Sequence, residues 1–338
     1  MTNNFEHLQS AHCENGVTRS LLNNIGIPQI TEPLAFGIGA GLFFVYIPFL
    51  KINNGPVIAF RVMPGLIFKR VCKSLGIRVT RKKFFSKLKA QQFLDNRLAS
   101  GRPAGCQVGV YYLSYFPKEY RFHFNAHNLI VYGKMNDQYL ISDPVMEHPT
   151  TLSSYQLERV RFAKGALAPR GQIYFPQHEG SISNDEIKKA IVRGIKKNAR
   201  SMLQPYAPIA GVKGIRFTGK KIKQWPAQLG EKKAGLYLAQ LVRMQEEIGT
   251  GGGGFRYIYA AFLQEAFTYI PNEKLLEIST AFTKSGDLWR EAAVLASGIF
   301  KGRLGTQEDY NKMGDFLLKI AGIESNAFKA LSKIKWEI

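Results

Sequence analysis

The hydrophobic spacing of this chain changes its period once, close to residue 180. Upstream of that point apolar residues alternate in places, as Cys106, Val108 and Val110 do, and alternation is typical of one face of a β-strand. Downstream, apolar residues recur with helical spacing in a first helix that follows Ser183 and in six further segments: 232–248, 255–270, 275–284, 287–301, 307–321 and 324–334. We therefore predict an α+β protein in which a domain at 1–178 contains the strands and a domain at 183–338 is all-α.

The helical domain is predicted to begin with a capped helix. Residues 176–183 are mostly polar and break the strand-like pattern, so they form a linker. Ser183 and Glu186 then form a capping box, and isoleucines at every fourth position from Ile187 mark the buried stripe of the first helix.

The composition describes a basic globular protein. Its 338 residues are 45% hydrophobic, which is enough for two buried cores. The net charge of +21 indicates an acidic partner or surface, such as nucleic acid, anionic lipid or an acidic protein. Three cysteines cannot form a disulfide framework and the chain does not open with a signal peptide, so we expect a cytoplasmic protein.

Two stretches concentrate the positive charge. Residues 69–102 contain eleven basic side chains against one acid, Asp95, and residues 188–223 contain eleven with no acid. A solvated helix face is the usual explanation of such a run, but the absence of any acid favours a docking surface. The candidate docking residues are Lys188, Lys189, Lys196 and Lys197.

Residues 34–50 form an uncharged run of seventeen residues that invites a membrane interpretation. We reject it because the run is at the short edge of spanning length and contains three glycines and Pro48. We expect a buried loop followed by a strand and no transmembrane segment, while the positive charge permits peripheral contact with a membrane. Thr31-Glu32-Pro33, just ahead of the run, predicts a turn. Glu32 is a candidate substrate-binding residue or an ordinary turn acid.

The stretch from Phe5 to Gly26 places a cysteine at the start of a helix. Val17 and Leu21 recur four residues apart and Gly26 supplies a left-handed stop, so a short amphipathic helix begins at Cys13. The amides and partial positive charge of a helix N-terminus favour a thiolate and could hold an oxyanion. Cys13 is therefore a candidate nucleophile, although a lone free cysteine is more commonly a small buried hydrophobe.

The other two cysteines fall on predicted apolar faces. Cys72 lies with Phe68 and Leu75 on a helix, and Cys106 belongs to the alternating strand. We predict that both are structural.

A hairpin is predicted over residues 127–145, with its turn centred near Met135. In that register His127 comes opposite Asp143 or its diagonal neighbour on the same face, with Cβ atoms about 5 to 8 Å apart. An imidazole held by a carboxylate can deprotonate a thiol and reprotonate a leaving group. The alternative is a surface hairpin on which the two side chains have no joint role.

Four consecutive glycines, 251–254, lie between two predicted helices and precede Arg256. Backbone amides from Gly251 onward and the Arg256 guanidinium could converge on an anion or a carbonyl, which makes both candidate substrate-binding residues. The run is not a nucleotide-binding fingerprint, because no strand precedes it and no Lys-Ser/Thr follows. A flexible hinge between helices is the alternative.

Several motifs of the first domain occur in an order and spacing that resembles the N-terminal domain of the butirosin biosynthesis protein H family. They are His12-Cys13, Thr31-Glu32, the glycine-rich Phe36 to Leu42, His127 and Asp143-Pro144. The second half resembles the helical domain of unassigned function that commonly follows, through Gly249-Thr250-Gly251-Gly252, Phe255-Arg256, Phe262-Leu263, Glu265-Ala266 and Trp289. The resemblance covers nearly the whole chain.

The resemblance implies a papain-like fold of the C39-peptidase class, in which a cysteine at a helix start packs on an antiparallel sheet. Carried over to this sequence, Cys13 is the nucleophile, His127 is the base and acid, and Asp143 orients the imidazole. Papain-like enzymes place a glutamine six residues before the cysteine, whereas this chain has His7 there and Gln9 four residues before. His7 and Gln9 are therefore the candidates for the second oxyanion donor beside the Cys13 amide.

The same resemblance implies an acyltransferase. The donor would be a thioester on the phosphopantetheine arm of an acyl carrier protein, and the acceptor a hydroxyl or amine of a small molecule in secondary metabolism. No bound cofactor and no metal are implied. Because carrier proteins are usually acidic, the four docking lysines named above become the candidate carrier-docking surface.

An apolar acyl chain is predicted from the residues near the proposed nucleophile. Residues 34–50 and the aromatic residues Tyr111, Tyr112, Tyr115 and Phe116 could line a hydrophobic cleft. A long acyl group would suit a lipid or polyene-pigment pathway. The alternative is that these residues are simply core.

Two other functions remain open on the sequence. A cysteine peptidase or amidase would use the same residues with water as the acyl acceptor, and the cytosolic character of the chain weakens this interpretation. A non-catalytic nucleic-acid-binding module is permitted by the charge. We do not expect a nucleic-acid partner, because no helix-turn-helix, RNA-recognition or zinc-finger spacing occurs.

Overall fold

The computed structural model describes residues 5–52, 55–178 and 180–337. Its helices are α1 (Cys13–Asn24), α2 (Glu32–Ile38), α3 (Leu66–Ser74), α4 (Lys87–Ala99), α5 (Ser154–Arg161), α6 (Asn184–Leu203), α7 (Gly211–Ile222), α8 (Trp225–Leu229), α9 (Glu231–Val242), α10 (Arg256–Tyr269), α11 (Glu273–Phe300) and α12 (Gln307–Lys333). Its strands are β1 (Leu42–Ile52), β2 (Gly55–Arg61), β3 (Arg78–Lys82), β4 (Ala104–Val108), β5 (His127–Met135), β6 (Gln138–Ser142), β7 (Thr150–Ser153) and β8 (Ile173–Gln177). The outer ends of the two predicted domains and residue 179 of the predicted linker lie outside the described residues.

The chain packs as two compact units. The first contains Met1–Ala35 and Ile67–Ile182, and the second contains Phe36–Leu66 and Ser183–Ile338. The predicted first domain is continuous over 1–178, whereas the structure groups its residues 36–66 with the second unit. The apolar run accounts for this difference, because most of its side chains are buried among the helices of the second unit.

The first unit is built on a six-stranded antiparallel sheet in the order β3-β8-β4-β5-β6-β7. Its core contains Cys106 and Val108 from β4 together with Leu94 from α4 and Leu157 from α5. The predicted alternation therefore holds within β4. Val110 does not extend the strand as predicted, since it opens a short 3-10 turn at Val110–Tyr112.

Strands β5 and β6 form the predicted hairpin. Met135 pairs with Gln138, so the turn begins at Asn136, one residue after the predicted centre. Asn136 adopts a φ of +51°, a left-handed conformation that asparagine tolerates better than most residues. His127 is the first residue of β5 and Asp143 directly follows β6, so both lie at the open end of the hairpin.

The second unit combines helices α6 to α12 with the antiparallel hairpin β1-β2. Residues 34–50, predicted as a loop and a strand, form α2 and β1. Phe36 stacks on Phe255 with ring centroids 5.1 Å apart, and Phe44 packs on Trp289 at 5.8 Å. The run is therefore largely core of the helical unit.

The predicted helical segments are present, but two neighbouring pairs merge into the long helices α11 and α12. Gly286 and Gly322 lie at the predicted breaks without ending either helix. At Gly286 the ring of Tyr257 occupies the space of a side chain, since a Cβ there would lie 2.7 Å from it. Among the described residues, no helix has the length and hydropathy needed to cross a bilayer.

Candidate active site

Helix α1 presents Cys13 as its first residue, as predicted. The N-cap is His12, whose Nδ1 accepts a hydrogen bond from the Asn15 amide at 3.4 Å. Gly26 follows the helix with a φ of +82°. Cys13 is only 7% exposed, so the helix start holds the thiol out of bulk solvent.

Glu32 holds the loop that leads into Cys13. Its Oε2 accepts from the Ala11 amide at 2.9 Å and its Oε1 from the His12 amide at 2.8 Å. Burial raises the pKa of Glu32, while the two amide hydrogen bonds and the charge of Arg19 act in the opposite direction. Both carboxylate oxygens are bound to backbone, so Glu32 has a positioning role in place of the predicted substrate contact.

The start of α1 and the residues just before it pack against Pro144, the residue that follows Asp143. The Ser10 amide donates to the Pro144 carbonyl at 2.7 Å. Gly16 faces the same proline, and a Cβ on Gly16 would lie 2.5 Å from the Pro144 Cβ. The missing side chain at Gly16 is what lets α1 approach the end of β6 so closely.

Cys13, His127 and Asp143 form one hydrogen-bonded group. His127 Nε2 lies 2.7 Å from Asp143 Oδ2, and the Cys13 side chain hydrogen-bonds the same imidazole. His127 is 5% exposed and Asp143 is fully buried. The structure thus brings together the three residues predicted as nucleophile, base and orienting acid.

The electrostatics of this group favour a charged imidazole. Burial by itself lowers the pKa of His127, but the negative charges of Asp143 and Cys13 and hydrogen bonds to both outweigh burial and raise the pKa to about 10. A protonated imidazole beside Cys13 stabilises the thiolate over the thiol. The arrangement therefore suits a nucleophilic thiolate at neutral pH.

Asp143 is held by two further donors. Tyr115 Oη donates to Oδ2 at 2.7 Å and the Val145 amide donates to Oδ1 at 3.3 Å. Burial and the charge of Asp143 raise the pKa of Tyr115 well above its usual value, so its hydroxyl remains a donor. The ring of Phe116 meets the His127 imidazole edge to face, with centroids 5.4 Å apart. These contacts fix the orientation of the carboxylate and the imidazole.

Asn128 brings a side-chain amide to Cys13. Its Nδ2 donates toward Sγ at 3.8 Å and to the Ala126 carbonyl at 3.1 Å, while its Oδ1 accepts from Tyr174 Oη at 2.8 Å. The tyrosine bond fixes which end of the amide faces the sulfur. Sequence reasoning missed Asn128 because neighbouring strand residues normally point to opposite faces, so nothing groups it with His127.

The two predicted oxyanion donors are placed differently. His7 Nδ1 lies 2.8 Å from Ser142 Oγ and Nε2 lies 3.1 Å from the Met146 carbonyl, so contacts near the end of β6 occupy both ring nitrogens. Gln9 is exposed. The structure offers Asn128 as the donor beside Cys13 instead.

The two remaining cysteines, Cys72 and Cys106, are fully buried. Burial raises the pKa of Cys72 to about 12 and also raises that of Cys106. Both thiols therefore stay protonated at neutral pH, consistent with structural roles. Within the described part of the chain, no group of three or more His, Cys, Asp or Glu side chains is arranged to hold a metal ion.

Arg256 is a core residue of the second unit. Its Nε and Nη2 donate to the Glu324 carboxylate at 2.8 and 2.9 Å, and its Nη1 donates to the Gly254 carbonyl at 2.7 Å. Both side chains of this ion pair are fully buried. The guanidinium predicted to contact substrate is therefore engaged in an ion pair with Glu324 inside the core. Gly251, the other predicted residue of this turn, is exposed and has a φ of +68°.

The four predicted docking lysines lie on α6, whose isoleucine stripe is buried. Lys189, Lys196 and Lys197 are exposed, and Lys188 is half-buried with its Nζ 3.4 Å from Asp185 Oδ1. The helix therefore carries a basic face as the sequence predicts.

Of the two segments predicted to line an apolar cleft, the run 34–50 is largely core. Phe36, Phe44 and Tyr46 are fully buried in the helical unit, so this part of the run is core. The aromatic part is different, because Tyr115 and Phe116 contact the group formed by Asp143 and His127. The expectation of an apolar acyl chain then depends on residues 111–116 alone.

Comparison with known proteins identifies two regions of similarity. Residues 12–144 match the family described as "Butirosin biosynthesis protein H, N-terminal", and residues 155–331, more than half of the chain, match "Domain of unknown function (DUF4872)". A solved structure described as a C39-like peptidase from Bacillus anthracis is similar at 13% identity with a TM-score of 0.37, covering 53% of this chain and 98% of that one. No curated protein matches the chain.

Proposed function

The chain belongs to the butirosin biosynthesis protein H family, and from that premise we propose that it is a cysteine acyltransferase of secondary metabolism. The hydrogen-bonded group of Cys13, His127 and Asp143 carries the proposal, because it joins a buried thiol to an imidazole of raised pKa and an orienting carboxylate. The donor is an acyl thioester on the phosphopantetheine arm of an acyl carrier protein. The acceptor is a hydroxyl or amine of a small molecule.

In the first half-reaction the Cys13 thiolate attacks the thioester carbonyl carbon. A new C–S bond forms and the carbonyl electron pair moves onto oxygen. Collapse of this intermediate breaks the C–S bond to the phosphopantetheine, whose sulfur takes the proton from His127. The products are acyl-Cys13, a free carrier thiol and a neutral imidazole.

In the second half-reaction the acceptor loses its proton to His127 as it attacks the acyl-Cys13 carbonyl. Collapse expels the Cys13 thiolate and releases the ester or amide. The imidazolium again lies beside the thiolate, ready for another donor. Asp143 orients the ring in both half-reactions, as the acid of a catalytic triad does.

Both half-reactions pass through an oxyanion. We assign its side-chain donor to Asn128, whose Nδ2 is directed to Cys13 Sγ and whose orientation Tyr174 fixes. The backbone amide of Cys13, at the positive end of α1, supplies the second donor.

A turnover assay tests the proposal. Carrier-bound acyl thioesters of increasing chain length are incubated with the protein, with and without amine and alcohol acceptors. Acyl transfer that needs an acceptor and disappears in Cys13→Ala is the expected result. Release of free acid at the same rate without acceptor would instead identify a hydrolase, and inertness toward every thioester would overturn the proposal.

A further inference from the structure

A cleft in the first unit gathers positive charge from separate parts of the chain. It has a volume of about 960 Å³, and Arg78, Arg97, Arg102 and His178 lie in its walls, with no Asp or Glu among its described lining residues. The C-terminal end of α1 also lines it. Cys13 lies at the other end of that helix, about 17 Å away at 1.5 Å per residue, so the cleft is separate from the candidate active site.

One of the three guanidinium groups is already fixed in place. Arg97 Nε donates to the Pro103 carbonyl at 2.8 Å, and the guanidinium lies 3.3 Å from the ring centroid of Phe175. These contacts hold the side chain by one edge and one face, which leaves the two terminal nitrogens as a parallel pair of donors. A guanidinium held in this way loses little rotamer freedom on binding an oxyanion.

The other cations are not neutralised within the described part of the chain. Arg78 and Arg102 are exposed, and neither side chain forms an ion pair or hydrogen bond with a described residue. Burial, followed by the charge of Arg102, lowers the pKa of Arg97 to about 10, so Arg97 remains protonated at neutral pH. His178 Nε2 is buried without a hydrogen-bond partner among the described residues.

Helix ends alone do not balance this charge. Helices α1 and α4 terminate beside the cleft, and the carbonyl groups at a helix C-terminus carry a partial negative charge of about half a unit. Three full positive charges exceed what these dipoles offset. The cleft therefore carries an excess of positive charge that suits a ligand with more than one negative charge.

We propose that this cleft binds a phosphate-bearing ligand, with Arg97 as the fixed two-point contact, Arg78 and Arg102 balancing the remaining charge, and His178 Nε2 as a hydrogen-bonding partner. Phosphate and pyrophosphate groups present several oxygens and about two or more charges, which matches three guanidinium groups better than a single carboxylate does. Either a free phosphorylated metabolite or the phosphate of a carrier protein's arm has this chemistry. The proposal holds whether or not Cys13 transfers acyl groups.

Calorimetric titration of the full chain with pyrophosphate tests the site. The matched variants are Arg78→Gln/Arg102→Gln in the cleft and Arg200→Gln/Arg216→Gln on exposed parts of the second unit, which remove the same charge. Wild type and the second-unit variant should bind equally, while the cleft variant should bind at least about tenfold more weakly because each lost charge-assisted hydrogen bond is worth that factor. Thermal unfolding confirms that both variants fold.

The outcomes separate the alternatives. The proposal would be overturned if wild type did not bind millimolar pyrophosphate, or if wild type and the cleft variant bound it with equal affinity. An equal loss of affinity in both variants would also overturn it, because that result would mean nonspecific charge attraction. Binding of coenzyme A without binding of holo-carrier protein assigns the site to free metabolites. Binding of holo-carrier but not apo-carrier protein, lost in the cleft variant, assigns it to the carrier's arm, and either assignment sustains the proposal.

Discussion

The side chains around Cys13 are fixed chiefly by hydrogen bonds that give each polar group one direction. Asp143 Oδ2 forms hydrogen bonds with both His127 and Tyr115, and a hydrogen bond from Tyr174 fixes the orientation of the Asn128 amide. Such a network costs little to reorganise during a reaction, which is how buried donors stabilise developing charge. Each of these contacts can be tested by removing one hydroxyl or one amide.

Replacement of Asn128 by alanine should separate oxyanion stabilisation from thiol reactivity. We expect acyl transfer to fall about 10² to 10³-fold, the usual cost of losing one oxyanion donor, and Tyr174→Phe to cost less because the amide itself remains. Alkylation of Cys13 by iodoacetamide forms no oxyanion, so its rate serves as the control and should change far less. Equal losses in both reactions would show that Asn128 acts on the thiol only.

The raised pKa of His127 predicts how stability depends on pH. Because the folded-state pKa is above the ordinary value of 6.5, the bound proton stabilises the fold fully below 6.5, and this contribution is lost as the pH rises toward about 10. Urea unfolding is measured in a Cys13→Ala background, where the coupled thiol is absent and Asp143 still raises the pKa. The difference in unfolding free energy between Cys13→Ala and Cys13→Ala/His127→Gln should shrink with rising pH, and a growing difference would contradict the assignment.

Sequence alone could place Cys13, His127 and Asp143, because a helix start and a hairpin register depend on local spacing. It could not place Asn128, whose approach to Cys13 depends on how α1 packs on β5. For Arg256 the sequence predicted a substrate contact, whereas the structure places its guanidinium in the core. Its partner Glu324 lies 68 residues away, so no local pattern could indicate that the guanidinium is consumed in a buried ion pair.

At the scale of elements, the contact of α1 with the end of β6 sets the position of the nucleophile. Gly16→Ala would normally stabilise a helix by up to about 1 kcal/mol. Here the new Cβ would lie 2.5 Å from Pro144, so we expect a net destabilisation of about 1 to 3 kcal/mol and reduced turnover as Cys13 shifts.

Gly322→Ala is the matched control for this change. Gly322 lies inside α12, and nothing lies within 4 Å of a Cβ placed there. It should therefore gain about 0.5 to 1 kcal/mol of stability with unchanged activity. Denaturant unfolding of both variants checks the pair, and a stabilised, fully active Gly16→Ala protein would refute the tight contact.

The secondary-structure elements were predicted correctly where the amphipathic spacing was complete. The prediction failed where tertiary packing determines whether a segment forms a helix and where that helix ends. The capping box at Ser183 and Glu186 forms as predicted, with both reciprocal bonds. The uncharged run 34–50 has no periodicity that distinguishes a loop from a helix, and its helix α2 depends on core contacts such as Phe36 on Phe255. Merging of the last helices also needs tertiary contacts, since glycine inside a helix is unfavourable in isolation.

At the scale of the whole molecule, the charge of +21 is expected to govern donor capture more than chemistry. Reversal of the four docking lysines of α6 to glutamate should raise KM for a carrier-bound donor and flatten its salt dependence, with turnover of a small thioester unchanged. Reversal of Lys274, Lys284, Lys319 and Lys329, which are exposed on α11 and α12, changes the net charge equally and is the control. Equal effects on both donors would mean that the α6 surface is structural.

The most direct test of the central claim is the location of the acyl group after reaction with a thioester donor. Intact-protein mass spectrometry should show one acyl adduct, peptide mapping should place it on Cys13, and Cys13→Ala should abolish it while Cys72→Ala retains it. This follows because burial keeps Cys72 and Cys106 protonated, whereas His127 stabilises a Cys13 thiolate. An adduct that persists in Cys13→Ala, or one that maps to Cys72 or Cys106, would contradict the account.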